Sequence, residues 1–162
     1  MIILGIDPGL ASTGFGAIIC KGKALSLLKC GYIKTFTGNP VSSRLFQIHN
    51  DMEQLIRAIK PDFVAIENVF SLVRYPKAGI LLGGVLGVIY VAALKNRIAL
   101  DEISPKEVKN ALVGFGNANK SQVRNVVQKL LGINDVKSFH AADALAVALT
   151  AFYRNDIRSK RL

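Results

Sequence analysis

The chain has no tryptophan and only two cysteines, two histidines and two methionines among its 162 residues. Cys20 and Cys30 lack CxxC spacing and have no His or Cys neighbour to complete a zinc site. A disulfide framework and a zinc finger are therefore excluded, and the two thiols read as small core residues. Carboxylates are also scarce: 11 Asp and Glu stand against 21 Lys and Arg, a formal charge of +10. The imbalance excludes an acidic, solvating chain and points to a polyanionic partner, nucleic acid before an acidic membrane surface. The opening Met-Ile-Ile-Leu-Gly-Ile-Asp has neither the basic flank nor the cleavage site of a signal peptide, so a reducing cytoplasm is expected. One long uncharged run exists, the 17 residues from Ala78 to Leu94. That is the lower limit for a bilayer span. Its glycines, Gly79, Gly83, Gly84 and Gly87, and the lack of a second such run predict a buried helix and no membrane.

What is present is a chain 51% hydrophobic, which excludes disorder. At this length about two-thirds of the unfolded surface can be buried. With no repeat, low-complexity tract or linker, residues 1–154 are expected to form one domain and 155–162 a basic tail. Three strands open it: Ile2 to Ile6, Gly14 to Cys20, and Ala24 to Lys34 after a Lys21-Gly22-Lys23 reversal. Their short connections imply an antiparallel meander. Leu45, Ile48, Met52, Leu55, Ile56 and Ile59 then recur at helical spacing before Pro61, and Phe63-Val64-Ala65-Ile66 reads as a buried strand reached by a crossover. After the apolar helix of about 78–94 comes a strand near Ile98 to Ile103. Three helices follow, one capped by Ser104-Pro105-Lys106-Glu107 as a capping box, one from Asn119, one from Phe139 to Tyr153. The order predicts an α/β, RNase H-like (retroviral-integrase-like) mixed five-stranded sheet with an antiparallel meander and helices on both faces.

Three carboxylates stand in apolar surroundings. Asp7 ends one strand and precedes Pro8, Glu67 ends another, and Asp143 is the one acid of the apolar run Ala141–Leu149. Buried carboxylates need a cation or a metal. The last helix offers Asp143 no basic partner before Arg154, which favours metal. His140 lies three residues earlier on the same helix face, where it can address the same atom as a ligand or proton-transfer group. Hard oxygen ligands suit Mg²⁺, with Mn²⁺ as substitute, and two such ions would balance three carboxylates and one phosphodiester. The chemistry expected is two-metal phosphodiester hydrolysis.

The C-terminal third is the more basic. The loop Gly114–Asn119 leads to a helix start where a phosphate is favoured, with Lys120 and Arg124 on one face and Lys106 and Lys109 nearby. Phe70, three residues after Glu67, is either a stacking aromatic or a core side chain; Arg74 follows in the same segment.

These residues resemble the RuvC-type Holliday-junction resolvases. The resemblance rests on Ile3-Leu4-Gly5-Ile6-Asp7-Pro8-Gly9 with Thr13-Gly14, on Ala65-Ile66-Glu67-Asn68-Val69-Phe70, on Val113-Gly114-Phe115-Gly116 with Asn119-Lys120-Ser121-Gln122-Val123, and on His140-Ala141-Ala142-Asp143-Ala144-Leu145-Ala146. It implies a homodimer that binds a four-way DNA junction and nicks two strands symmetrically with divalent metal, in recombination and repair alongside a branch-migration helicase. Asp7, Glu67, His140 and Asp143 would be catalytic and metal-binding, His140 standing where many members carry a fourth Asp. Lys109 and Lys120 would contact the junction backbone, with Arg74 and Arg124 as further DNA-binding groups, and Phe70 would stack at the opened junction centre. Two other readings are weighed: an RNA-directed protein of the YqgF type, and an actin-like ATP-binding protein, for which 162 residues supply only one of two halves.

Overall fold

The computed structural model describes residues 1–68 and 76–159. Phe70 and Arg74 lie outside them. Strands β1 (Ile2–Asp7), β2 (Ser12–Lys21) and β3 (Ala24–Lys34) form the meander, followed by α1 (Val41–Ile59), β4 (Phe63–Glu67), α2 (Pro76–Lys95), β5 (Ala99–Ile103), α3 (Pro105–Val113), α4 (Lys120–Leu131) and α5 (Phe139–Ser159). The sheet order is β3-β2-β1-β4-β5, antiparallel at β1/β2 and β2/β3 and parallel at β1/β4 and β4/β5. The predicted mixed sheet is thus present. A bulge between Ala17 and Ile18 bends the outer pair.

Side chains alternate between two cores, as a strand period of two requires. Ile3, Ile18, Ala65 and Ile103 pack under α3, α4 and α5 with Val108, Val127, Leu145 and Leu149. Leu4, Ile6, Val64 and Ile66 face α1 and α2 with Ile48, Met52, Val85 and Ile89. Burying such side chains contributes roughly 1.5–3 kcal/mol each before entropy is counted.

Local chemistry departs from expectation in three places. Ser104 Oγ accepts the Glu107 N–H at 3.2 Å and Pro105 occupies the first turn. The Glu107 carboxylate, however, does not return to Ser104; it reaches Arg154 at 3.4 Å. The reciprocal capping box belongs to α4, where Asn119 and Gln122 exchange side-chain and backbone bonds at 2.9 Å each. The predicted buried helix, α2, is buried on one face only, through Val85, Ile89, Ala92 and Ala93, while Ile80 (76% exposed) and Leu94 (65%) face outward. By length and composition alone it could cross a membrane. Finally, α5 runs to Ser159 rather than Tyr153.

Candidate active site

β1 and β4 are parallel neighbours with Ile6 opposite Ile66, so their last residues, Asp7 and Glu67, emerge side by side at one end of the sheet. α5 crosses that end at unusually close range. A Cβ on Gly14 would lie 2.1 Å from the His140 carbonyl oxygen, and one on Gly5 would lie 2.0 Å from that of Ala144. Only glycine admits a helix this close to the strands. The approach brings α5 onto the carboxylates: His140 Nδ1 lies 2.8 Å from Asp7 Oδ2.

Asp143 finds a partner from another helix. Lys120, at the first position of α4, donates to Asp143 Oδ2 at 3.0 Å. The absence of a basic residue in α5 before Arg154 was therefore no guide to pairing, because the partner sits 23 positions upstream. Asp7, Glu67, Asp143, Lys109 and Lys120 together line one cleft of about 270 Å³, walled by Val108, Val123 and Ala146.

The electrostatics follow from crowding three acids in a half-dry cleft. Burial, then the charges of Asp7 and Asp143, push the Glu67 carboxyl up to about 7. Burial also raises Asp7, opposed by the hydrogen bond from His140 and reinforced by the Asp143 charge. The carboxylate partner holds the Lys120 ammonium above its ordinary range. The cleft therefore favours protons or added cations over free negative charge.

Among the described residues, no three His, Cys, Asp or Glu side chains are gathered tightly enough to hold an ion as arranged. The donor set nevertheless fits a hard divalent cation. It offers carboxylate oxygens on rigid strand ends and a helix, one of them driven to bind a proton by its neighbours, and one oxygen of Asp143 already bears an ammonium.

The other expected residues divide. Arg124 is committed within the fold: it donates to Asp135 at 2.6 Å and to the Val136 carbonyl at 2.5 Å, and its guanidinium lies 5.0 Å over the Phe139 ring. These contacts hold the start of α5. Arg154 bonds Asp101 at 2.8 Å, Glu107 at 3.4 Å and the Glu102 carbonyl at 3.0 Å, tying α5 to β5 and α3. Sequence reasoning also missed the part of Gly5, Gly14 and Gly16. Their recurrence in two neighbouring strands was the available signal.

The model of the family described as "Crossover junction endodeoxyribonuclease RuvC" matches residues 3–151. The chain belongs to the RuvC family. A crossover junction endodeoxyribonuclease RuvC of Marinobacter nauticus is 41% identical over 154 residues, covering 95% of this chain and 87% of that one. Its counterpart in Natranaerobius thermophilus is 37% identical over 150 residues, 92% of each chain. The Thermus thermophilus RuvC solved in complex with a Holliday junction substrate superposes with a TM-score of 0.89 at 35% identity, over 95% of this chain and 94% of that one. The expected RNase H-like architecture is thereby shown as that of RuvC, and the YqgF-type and actin-like readings give way to it.

Proposed function

We propose that this RuvC-family chain is an endonuclease that resolves four-way DNA junctions by hydrolysing phosphodiesters at the cleft of Asp7, Glu67 and Asp143. The observation that carries the reading is the convergence of those three acids with Lys109 and Lys120 in one cleft, in a chain that matches the RuvC model almost throughout.

Asp7, Glu67 and Asp143, with His140 beside them, are the residues that would hold divalent cations, Mg²⁺ in our reading with Mn²⁺ as substitute. Such ions supply charge stabilisation at the phosphate and a more acidic water. The chain's own groups do the rest. Lys109 and Lys120 attract and orient the DNA backbone as point charges. His140, half exposed and hydrogen-bonded to Asp7, can accept a proton from an attacking water, its ring held by the carboxylate. Water adds at phosphorus, the bond to a sugar oxygen breaks, and that oxygen leaves with a proton. Val108, Val123 and Ala146 keep the cleft partly dry, which strengthens each charge interaction.

We assign the outward face of α2, with Ile80, Val91 and Leu94, to a second copy of the chain. A two-fold dimer matches a substrate with two equivalent strands to cut. A second copy would also cover an apolar stripe that the single chain leaves in water. A branch-migration helicase partner, a cytoplasmic setting, and residues 1–154 as nuclease domain with 155–162 as a basic extension belong to the same proposal. Phe70 enters it through the family resemblance, and Arg74 as a basic residue of the same segment.

The decisive experiment compares a labelled immobile four-way junction with a linear duplex of the same sequence in Mg²⁺, Mn²⁺ or EDTA, alongside Asp7→Asn. The expected result is paired symmetric nicks in the junction only, lost in EDTA and in the variant while binding persists. Cleavage of the duplex at an equal rate would overturn junction selectivity.

A further inference from the structure

Strand β3 forms one edge of the sheet, and its end carries a regular alternation. Tyr32, Lys34 and Phe36 are exposed while Ile33 and Thr35 between them are buried. Tyr32 is 51% and Phe36 69% exposed, large aromatic areas to leave in water beside a catalytic cleft. Tyr32 pairs with Gly14, and paired residues of antiparallel strands point to the same face. On Gly14 that is the face of His140, whose carbonyl occupies the space a Cβ would take. Tyr32 and Lys34 thus stand on the face of the sheet that carries His140.

The segment is held in place rather than draped. Thr35 is 3% exposed; its hydroxyl donates to the Leu10 carbonyl at 2.6 Å, and its N–H donates to the Ala11 carbonyl at 3.1 Å. Arg44, itself buried, donates from Nε to the same hydroxyl at 2.9 Å. The Phe36 ring rests on Gly38, where a Cβ would lie 2.5 Å from Cε1, leaving the ring backed on one side. Lys34 and Phe36 line a common open cleft of about 480 Å³ with Ala11, Thr35 and Thr37. Lys34 has no ion-pair partner among the described residues.

We infer that the stripe Tyr32, Lys34 and Phe36 is a track for one strand of the substrate DNA, its two rings taking bases and Lys34 a phosphate. An aromatic–basic–aromatic alternation on a rigid strand end is what sequence-tolerant binding of an unpaired strand uses. The chain's excess of positive charge favours this occupant over an apolar protein segment. Two strand spacings of about 4.8 Å and two residue rises of about 3.4 Å put the Lys34 backbone about 12 Å from that of Asp7.

This inference rests on the resolvase reading, and the test separates the two. Junction binding is measured on an Asp7→Asn background with and without the pair Tyr32→Ala and Phe36→Ala, and single-turnover cleavage is measured at saturating enzyme with Asp7 intact. The pair is expected to weaken binding at least fivefold, since one stacked base supports about 5- to 160-fold, and to leave the saturated cleavage rate within about twofold. The conservative pair Tyr32→Phe and Phe36→Tyr should restore affinity. Lys34→Ala should lower the slope of log affinity against log salt by about one contact. Should the aromatic pair fail to fold, Lys34→Glu carries the same test, again with a loss of at least fivefold. A smaller loss in a chain that binds and cuts junctions overturns the track. A parent chain that neither binds nor cuts a junction overturns the resolvase reading instead.

Discussion

The two faces of the sheet solve different problems with the same kind of helix. On one, α5 lies so close that Gly5, Gly14 and Gly16 have no room for a Cβ, and the contact delivers His140 and Asp143 to Asp7. On the other, α2 carries Gly83 and Gly87 with open space around each, and leaves Ile80, Val91 and Leu94 exposed. Glycine in the strands under α5 is required by approach; glycine in α2 leaves room for something outside the chain. One face is closed by the chain's own packing, and the other leaves an apolar stripe open.

The largest expected effect breaks the close approach. Gly5→Ala would drive a methyl into the Ala144 carbonyl, a backbone atom that cannot yield without moving α5. We expect a loss on the order of 3–5 kcal/mol in chemical denaturation; a loss under about 1 kcal/mol would show that α5 can lift off.

Next in size is the charge gathered on the same face. Glu67 titrates near 7 in the fold against about 4.3 when free. Below both values the carboxyl is protonated in either state and costs nothing. As pH rises between them, the unfolded chain releases the proton while the folded one holds it, so stability falls. Well above 7 the penalty is constant, on the order of 3–4 kcal/mol. In metal-free buffer Glu67→Gln should therefore match the parent at pH 4 and exceed its stability at pH 8 by that amount. Equal melting temperatures at pH 8 would show that Glu67 ionises freely.

A smaller effect concerns the clasp at the far end of α5. Arg154→Ala removes bonds to Asp101, Glu107 and the Glu102 carbonyl, and a loss of about 1–2 kcal/mol is expected for charged hydrogen bonds that remain partly wet. Junction cleavage at saturation should be unaffected; a selective loss of cleavage would place the clasp in the site's support.

The smallest effect sharpens the contrast directly. With nothing within 4 Å of its missing Cβ, Gly83→Ala in α2 should stabilise the isolated protomer by about 0.5–1 kcal/mol through helix propensity. At concentrations where the chain self-associates, the same methyl should weaken the dimer in sedimentation. Stabilisation at every concentration would remove Gly83 from the interface.

Much of this was legible in one dimension. Asp7 and Glu67 were visible because each ends an apolar strand, and His140 and Asp143 because three residues on a helix return to the same face. Phe115, 49% exposed in the loop before α4, was read as part of the loop leading to Lys120 and of a family motif, with no role of its own. The commitment of Arg124 to Asp135 and Phe139 was not legible, since the local spacing that aligned it with Lys120 says nothing of a loop that folds back 11 residues later. The exposed stripe of α2 was equally hidden, because an all-apolar helix has the same pattern whether its second face meets the core or not.

By itself the sequence determined the order of elements, the two strand-end acids and the excess of positive charge, all set by local periodicity and composition. The tertiary structure decided which charges meet. Lys120 reaches Asp143, Arg154 reaches Asp101 and His140 reaches Asp7 across 23, 53 and 133 positions. Such pairs depend on how closely a helix can lie on a sheet, and that distance is a property of packing rather than of spacing along the chain.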